Sequence, residues 1–345
     1  MPKILVTRHL GQQAMTVLEQ SGLDLIVNPE DAAPSRDWVL GHLANPEVQA
    51  ICLMHSQPSD KVDEQLLDAA SPNLRCVSTF SVGYDHINVK AANARGVKVG
   101  HTPGVLDDAV ADLTVMLVLM TLRRVGESIQ LVRSGGWPQL PWAPFVNCGQ
   151  SISHPSLTIG FLGFGRISQA ALERLLVFTN KTDRPQIIYN SSRRRDNQDT
   201  IDADFSKRYG VDVKRVEKEE LAAKSDILIV LCDLNPSTKD LVNKSFFEQM
   251  KESAILVNVA RGPIVNSEDL HEALTTGQIW GAGLDVLTGE PNITADHPLL
   301  HVKNCLVLPH LGSADYDTRN KMAELCARNA IAAVRGDELL AEVKL

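Results

Sequence analysis

Three stretches in the second half of the chain place an arginine, two carboxylates and a histidine at or just past the ends of apolar runs. They are "NVARG" with Arg261, "GLDVLTGEP" with Asp285 and Glu290, and "LPHLGSA" with His310. A histidine exchanges a proton near neutral pH, and a guanidinium group binds a carboxylate through parallel hydrogen bonds. Each residue taken singly also has a plain structural explanation, as a surface arginine, a turn carboxylate or a core histidine.

A glycine-rich turn lies upstream of these stretches. In "TIGFLGFGRIS", Gly163, Gly165 and Ser168 occupy the three positions of the G-x-G-x-x-G dinucleotide turn, between a predicted strand and a predicted helix. The first glycine permits a tight turn, the second lets a pyrophosphate approach the backbone, and the helix N-terminus supplies N–H groups. Ser168 departs from the pattern at a position that serves packing, so we expect looser packing and an intact site. A plain strand-to-helix turn is the alternative.

The next predicted strand ends in "IIYNSSRRR". Asn190 stands where NAD-binding proteins usually carry an acidic residue that binds the ribose hydroxyls. Ser192, Arg193 and Arg194 follow with hydroxyl and guanidinium groups that suit a 2′-phosphate. The stretch therefore predicts that NADPH is preferred and NADH is used more weakly. A solvated basic loop is the alternative, and we favour it for Arg195.

Short runs rich in Ile and Val alternate with helical stretches along the whole chain, which is typical of parallel sheets covered on both faces. The runs form two series, separated by a helical stretch and by the irregular segment "GGWPQLPWAPF". Carboxyl ends of parallel strands line the ligand crevice in such folds, so Arg261, Glu290 and His310 can converge there.

These patterns predict an α/β protein of two Rossmann/flavodoxin-like doubly wound domains, with the active site in the cleft between them. We expect a substrate-binding domain at residues 1–105, completed by a C-terminal helix at 317–345. The dinucleotide-binding domain is predicted at 106–316. The length of 345 residues is consistent with two cores.

Composition argues against several classes of partner. The formal net charge of -8 disfavours nucleic acid and anionic membranes. The beginning "MPKILVTRHL" enters a strand without the features of a signal peptide, so we expect a cytoplasmic protein. Six scattered cysteines without a C-x-x-C pair favour reduced, buried thiols. His297, His301 and His310 do not share a helical face, so we expect no metal site.

The most apolar segment, "AVADLTVMLVLMTL" at 109–122, is too short and too interrupted by polar residues for a membrane span. It carries more apolar surface than one buried face of a helix needs. We therefore expect a homodimer that forms through helix 109–122.

Over nearly its whole length the chain resembles the D-isomer-specific 2-hydroxyacid dehydrogenases. The resemblance rests on "STFSVGYDHINVKAANARGVKVGHTPGVLDDAVADLTV", the dinucleotide turn, "NVARG", "GLDVLTGEP" and "LPHLGSA", which occur in the order typical of the family. Within the family the chain is most similar to glyoxylate/hydroxypyruvate reductases, through "STFSVGYDH", "HPLLHVKNCLVLPHLGSA" and the ending "VKL". The resemblance implies NADPH-dependent reduction of glyoxylate or hydroxypyruvate.

It also implies a catalytic triad of Arg261, Glu290 and His310. His310 would donate a proton to the substrate carbonyl oxygen while a hydride arrives from the nicotinamide. Glu290 would orient the imidazole, and Arg261 would bind the substrate carboxylate and polarise the ketone.

Further positions follow from the same resemblance. In the cofactor site, Gly165, Arg166 and Ile167 would meet the pyrophosphate and Asp285 the carboxamide, while four residues would line the channel: Cys232, Pro236, Val259 and Ala260. In the substrate site, the backbone of Val82 and Gly83 would bind the carboxylate, with Ser313 and Met54 or His55 nearby. In similar reductases a tryptophan-bearing loop reaches the active site of the partner subunit, and either Trp142 or Phe145 would take that part here.

Alternative functions remain. One is a related D-2-hydroxyacid dehydrogenase with another 2-ketoacid substrate, although formate dehydrogenases carry glutamine at the position of Glu290 and many phosphoglycerate dehydrogenases append a regulatory domain. The other is a dinucleotide-sensing protein that resembles corepressors of this fold. The chain lacks a long disordered regulatory tail, which favours the enzyme.

Overall fold

The computed structural model describes residues 1–192 and 195–344. The chain divides into two compact units, of which the first comprises Met1–Leu106 with Ser313–Leu345 and the second Asp107–Gly312. The expected functions of these units, substrate binding and dinucleotide binding, stay predictions at this point.

The first unit is built on a five-stranded parallel sheet in the order β2-β1-β3-β4-β5. Its strands are β1 (Lys3–Val6), β2 (Asp24–Val27), β3 (Val48–Leu53), β4 (Cys76–Thr79) and β5 (Lys98–Gly100). Its helices are α1 (Gln12–Gln20), α2 (Arg36–Leu43), α3 (Glu64–Ala69), α4 (Val89–Ala94) and α12 (Tyr316–Arg335), with a 3-10 turn at Pro58–Asp60.

The core of this unit has two parts, one on each face of the sheet, because side chains along each strand point alternately to the two faces. Leu5 and Ile51 pack with α2, α3 and α4, whereas Ile4 and Ala50 pack with α1 and α12. Successive side chains of a strand point to opposite faces, so a strand buried on both faces is apolar throughout. The C-terminal helix α12 thus completes one apolar face of the first unit.

The second unit holds a seven-stranded parallel sheet in the order β12-β11-β10-β9-β6-β7-β8. Its strands are β6 (Thr158–Leu162), β7 (Gln186–Asn190), β8 (Val213–Arg215), β9 (Ile227–Val230), β10 (Ile255–Asn258), β11 (Gly281–Leu284) and β12 (Cys305–Val307). The strand order reverses direction between β6 and β9. Ligands of open α/β sheets bind at such a switch point, outside the carboxyl ends of the strands.

Helices cover both faces of this second sheet. They are α5 (Asp107–Leu122), α6 (Val125–Arg133), α7 (Arg166–Phe178), α8 (Gln198–Tyr209), α9 (Lys218–Lys224), α10 (Lys244–Phe247) and α11 (Ser267–Thr275). Three 3-10 turns at Trp137–Gln139, Gly262–Ile264 and Pro298–His301 are also described. The prediction of two doubly wound parallel α/β domains is confirmed.

Helix α5 packs within its own unit, although we expected its apolar surface to contact a partner subunit. It packs on β10, β11 and α7, and its buried positions include Val110, Leu117 and Leu122. The unit itself therefore covers most of this apolar helix. The exposed apolar side chains nearby lie mainly after α5, at Ile129, Val132, Trp137, Trp142 and Phe145.

All six cysteines are free thiols, but their burial is less uniform than expected. Cys52, Cys76 and Cys326 are buried, whereas Cys148 is exposed in the irregular segment after α6. Across the described residues, each helix is either too short or too polar to cross a bilayer.

Candidate functional site

The glycine turn lies at the switch point of the second sheet. Gly163 follows β6 with a φ of 92°, and a Cβ atom there would lie 2.7 Å from the backbone nitrogen of Cys232. The N–H of Gly163 donates to the carbonyl of Asn190 at 2.8 Å. Only glycine fits this combination of a positive φ and close backbone approach. The first glycine therefore joins the ends of three neighbouring strands.

The second glycine has a different environment. Gly165 precedes α7, which has no side-chain hydrogen bond at its N-cap, and a Cβ on Gly165 would meet nothing within 4 Å. The first N–H groups of a helix lack intrahelical partners and favour an anion. This end of α7 thus offers both the space and the donors that a pyrophosphate needs.

Ser168 tightens the turn, contrary to the expectation of looser packing. Its side chain is fully buried, and its hydroxyl donates to the carbonyl of Gly163 at 2.9 Å. Arg166 is largely exposed and its Nε lies 3.0 Å from Asp107 Oδ2. Ile167 is half-buried in the first turn of α7.

Asn190 at the end of β7 is held by its neighbours. Its side-chain amide donates to the carbonyl of Val216 at 2.8 Å, so an amide rather than a carboxylate suits the position. Ser192 is exposed in the loop that follows. Arg193 and Arg194, the two predicted phosphate ligands, lie outside the described residues.

Glu290 and His310 are in direct contact. His310 Nδ1 lies 3.0 Å from Glu290 Oε1, and the second oxygen of Glu290 accepts the N–H of Leu287 at 3.2 Å. The carboxylate is therefore held from both sides. His310 is about half-exposed, with 49% of its side chain accessible, so the imidazole is both oriented and reachable.

Arg261 lies just past the end of β10, before the 3-10 turn Gly262–Ile264. Gly262 packs so tightly that a Cβ would lie 2.1 Å from the carbonyl carbon of Leu287. This close approach brings the backbone beside Arg261 against the turn that carries Glu290. The guanidinium Nη1 donates to the carbonyl of Ala260 at 2.8 Å.

Asp285 holds the turn that carries the histidine. Its carbonyl accepts the N–H of His310 at 2.8 Å, and its carboxylate accepts those of Leu311 at 2.6 Å and Gly312 at 2.8 Å. His310 has a φ of 55°, a conformation that is costly for residues other than glycine unless neighbours enforce it. The contact of Asp285 with a carboxamide stays a prediction, and the two hydrogen bonds described for its carboxylate both come from this turn.

Burial of Asp285 raises the pKa of its carboxyl group above the ordinary value of 3.8, and the hydrogen bond from the Leu311 N–H opposes the shift. Burial likewise raises the pKa of the Cys232 thiol to about 12. Cys232 is therefore a neutral, apolar group at physiological pH. Val259 and Ala260 are buried after β10, while Pro236 is exposed.

The predicted substrate residues of the first unit lie in the loops after β3 and β4 and at the start of the C-terminal segment. After β4, the carbonyl of Gly83 accepts the Ser81 hydroxyl at 2.7 Å, and His101 Nδ1 lies 3.0 Å from the carbonyl of Val82. The hydrogen bonds described for Val82 and Gly83 thus engage their carbonyl groups. Ser313 opens the C-terminal segment of this unit, and its carbonyl accepts Arg319 Nε at 3.1 Å.

The sequence did not indicate that Arg8 and Asp60 hold the loop after β3, which contains Met54. Arg8 and Asp60 are buried and lie 3.3 Å apart. Arg8 donates to the carbonyl of Met54 at 2.5 Å, and Asp60 accepts the N–H of Ser56 at 2.8 Å. Because the two residues are 52 positions apart, no pattern of neighbouring residues predicts their contact. In the sequence, the position of Arg8 after an apolar strand is the one feature that could have indicated a role.

Metal ligation was not expected, and within residues 1–192 and 195–344 no group of three or more His, Cys, Asp or Glu side chains could hold a metal ion. His297 instead caps the 3-10 turn Pro298–His301, accepting the Leu299 N–H at 3.3 Å.

Comparison with known proteins agrees with this geometry. A family model described as "D-isomer specific 2-hydroxyacid dehydrogenase, NAD binding domain" matches residues 115–312. The chain is 42% identical over 353 residues to the glyoxylate reductase/hydroxypyruvate reductase of Mus musculus, covering 99% of this chain and 98% of that protein. Its identity to the protein of the same name from Homo sapiens is 43% over 346 residues, with the same coverage.

A similar solved structure is the NADPH-dependent glyoxylate/hydroxypyruvate reductase from Sinorhizobium meliloti in complex with NADP and malonate. It superposes with a TM-score of 0.79 at 30% identity, covering 99% of this chain and 96% of that one. The chain therefore belongs to the family of D-isomer-specific 2-hydroxyacid dehydrogenases.

Proposed function

We propose that this protein is an NADPH-dependent reductase of small 2-ketoacids, which converts glyoxylate to glycolate and hydroxypyruvate to D-glycerate. The observation that carries the proposal is the 3.0 Å contact between His310 Nδ1 and Glu290 Oε1, at strand ends of the sheet that also bears the dinucleotide turn. The names of the two mammalian relatives and of the S. meliloti structure support the choice of substrate.

The cofactor would be held by the turn between β6 and α7. Gly163 keeps the turn tight, and the open space at Gly165 with the uncapped start of α7 fits a pyrophosphate. Arg166 and Ile167 would complete this contact, and Cys232, Pro236, Val259, Ala260 and Asp285 would surround the rest of the cofactor. When bound, a reduced nicotinamide dinucleotide supplies the hydride for reduction.

His310 is proposed as the general acid. Its Nδ1 is directed to Glu290, which leaves Nε2 as the nitrogen that would donate a proton to the substrate oxygen. Glu290 stabilises the imidazolium and fixes the orientation of the ring. The bond from the Leu287 N–H keeps this carboxylate in place.

Arg261 is proposed to bind the substrate carboxylate and to polarise the adjacent carbonyl group. Its guanidinium group is planar and carries five N–H donors, a geometry that matches a carboxylate in a bidentate contact. In the first unit, we propose the N–H groups of Val82 and Gly83 as carboxylate donors. Ser313 and Met54 would contact the substrate.

NADPH is proposed over NADH because of what stands at the end of β7. Asn190 carries no charge that would repel a 2′-phosphate, and exposed Ser192 offers a hydroxyl. Arg193 and Arg194 follow in sequence and would supply guanidinium groups.

The deciding experiment is steady-state turnover of the purified protein with glyoxylate, hydroxypyruvate and a panel of larger 2-ketoacids, each with NADPH and with NADH. We expect the highest kcat/KM for the two small substrates with NADPH. A preference for a larger 2-ketoacid would identify a different dehydrogenase of this family. Cofactor binding without turnover on any substrate would indicate a dinucleotide sensor instead.

We also propose a homodimer. The side chains of Ile129, Val132 and Trp137 on and after α6 are 43%, 54% and 59% exposed, and Trp142 and Phe145 are almost fully exposed. An apolar surface of this kind is typical of subunit interfaces. Light scattering at micromolar concentration should give twice the chain mass. The Val132→Glu variant should be monomeric. The control Val177→Glu changes a valine on α7 that is 72% exposed, and it should stay dimeric. A monomeric wild type would reject the proposal.

A further inference from the structure

A cation on the strand next to β7 lies beside the loop that follows Asn190. Arg215 is the last residue of β8, and it is aligned with Tyr189 of β7 in the parallel ladder. Its Nη2 donates to the carbonyl of Ser191 at 2.8 Å. A residue 24 positions away in sequence thus holds the first peptide of the β7–α8 loop.

The far end of the same loop is held as well. The N–H of Arg195 donates to Gln198 Oε1 at 3.4 Å, and Gln198 Nε2 donates to Asp202 Oδ1 at 3.0 Å. Asp202 in turn accepts the Tyr189 hydroxyl at 2.5 Å. Both ends of the loop are therefore tied to side chains, and exposed Ser192 lies between them.

The charge of Arg215 is only partly compensated. Its side chain is 13% exposed, and Glu217 Oε1 lies 3.5 Å from Nη1 but is itself 75% exposed. Among the described residues, the buried Nε of Arg215 has no hydrogen-bond partner. Exposed ion pairs are screened by water, whereas a shielded cation acts over a longer range. The guanidinium group of Arg215 therefore lies at the carboxyl ends of β7 and β8, where Glu217 is its exposed ion-pair partner and the Asp202 carboxylate accepts its backbone N–H at 3.3 Å.

We propose that Arg215 is a positioning residue that determines the preference for NADPH, because its guanidinium group fixes the Ser191 end of the β7–α8 loop and adds positive charge beside Ser192. The inference rests on the proposed use of NADPH and extends it to a residue outside the β7–α8 loop. A phosphate on the ribose 2′-oxygen gains from both effects, whereas a free hydroxyl gains little from the charge.

The test compares dissociation constants for NADPH and NADH, measured by calorimetry on the full-length protein. Arg215→Met removes the charge and the donor, and it should weaken NADPH binding about tenfold while changing NADH binding less than about twofold. Arg215→Lys keeps the charge without the planar donor group, and it should lower the ratio of NADH to NADPH dissociation constants about threefold. The matched control is Arg208→Met on α8, whose guanidinium pairs with Glu173 at 2.7 Å; it should leave both constants unchanged.

The outcomes separate this inference from the proposed function. If wild type binds NADPH no more tightly than NADH, the proposed cofactor preference fails and this inference fails with it. If wild type prefers NADPH and Arg215→Met keeps the same ratio, only the inference is overturned. An equal loss for both cofactors would mean that Arg215 only supports the fold, which also overturns it. Should Arg215→Met not fold, an unchanged ratio in Arg215→Lys overturns the inference in its place.

Discussion

Asp285 and His310 are joined through their backbones, with the His310 N–H donating to the Asp285 carbonyl at 2.8 Å. The Asp285 carboxylate then accepts the N–H groups of Leu311 and Gly312. Three consecutive N–H groups of the histidine turn therefore end on one residue. This arrangement explains how His310 keeps a φ of 55°.

We predict that Asp285→Asn loosens this turn, because an amide accepts at only one oxygen and one N–H loses its partner. The cost should be about 1 to 3 kcal/mol, with a fall in kcat. Burial raises the pKa of the Asp285 carboxyl group, and the Leu311 N–H bond offsets part of the shift. The folded state therefore binds this proton more readily than the unfolded state, so this group's contribution to stability declines as pH rises through its titration.

The amide of the Asp285→Asn variant does not titrate, so the Tm of wild type minus that of the variant should shrink between about pH 4 and pH 7. Thermal unfolding by circular dichroism across that range measures this difference. A difference that grows with pH would show that the hydrogen bonds outweigh burial.

The two glycines of the dinucleotide turn should respond differently to the same change. Gly165→Ala meets no atom within 4 Å, so the free energy of unfolding should stay within about 0.5 kcal/mol of wild type. Cofactor binding should still weaken at least about tenfold, because the added methyl group occupies the space of the pyrophosphate. Gly163→Ala places its Cβ 2.7 Å from Cys232 N at a φ of 92° and should cost about 1 to 3 kcal/mol. Denaturant unfolding and calorimetry separate the two, and a Gly165→Ala variant with normal cofactor affinity would place the pyrophosphate elsewhere.

Removal of the proposed acid or of the carboxylate ligand should abolish most reduction without unfolding the protein. His310→Ala should lower kcat/KM by about 10²- to 10⁴-fold, the usual contribution of positioned acid catalysis. Arg261→Ala should lower it by about 10²- to 10³-fold, because it removes a positioned donor to the substrate. The matched control is His301→Ala, at an exposed histidine in the turn Pro298–His301, which should keep wild-type activity. Near-normal turnover in His310→Ala would reject the triad.

Glu290→Gln should be milder, with a loss of about tenfold, because the amide oxygen can still orient His310. The loss should appear mainly in kcat, because the carboxylate charge is proposed to support proton donation by His310. Steady-state kinetics with saturating NADPH measures kcat and KM separately. A kcat equal to that of wild type would mean that Glu290 does not support proton donation by His310.

The cofactor preference should invert when the end of β7 is changed. Asn190→Asp with Arg193→Ala should favour NADH, since a carboxylate binds the ribose hydroxyls and repels a phosphate. The change also removes the donor to the Val216 carbonyl, so we expect a stability cost of about 1 to 3 kcal/mol. The ratio of kcat/KM for the two cofactors is the measurement, and Arg195→Ala is the control that should not alter it. An unchanged ratio in the double variant would mean that the arginines form only a solvated loop.

Features set by local pattern were predictable from the sequence. Alternating apolar runs indicated two parallel sheets, and the spacing of Gly163 and Gly165 after a strand indicated the dinucleotide turn. The positions of Glu290 and His310 after strands indicated that the two could converge at one edge of a sheet, and the resemblance to the family implied that they act together. Each of these inferences depends on residues close in sequence or on the general geometry of parallel sheets.

Contacts between distant residues were decided only by the tertiary structure. The bond from Arg215 to Ser191, the buried pair of Arg8 and Asp60 and the N–H groups that end on Asp285 each join segments between 24 and 52 positions apart. Helix α5 was expected to contact a partner subunit, and only the tertiary structure showed that β10, β11 and α7 of its own unit pack against much of its apolar surface. Whether a side chain finds a partner depends on strand order and register, and those are properties of the whole sheet rather than of any one strand.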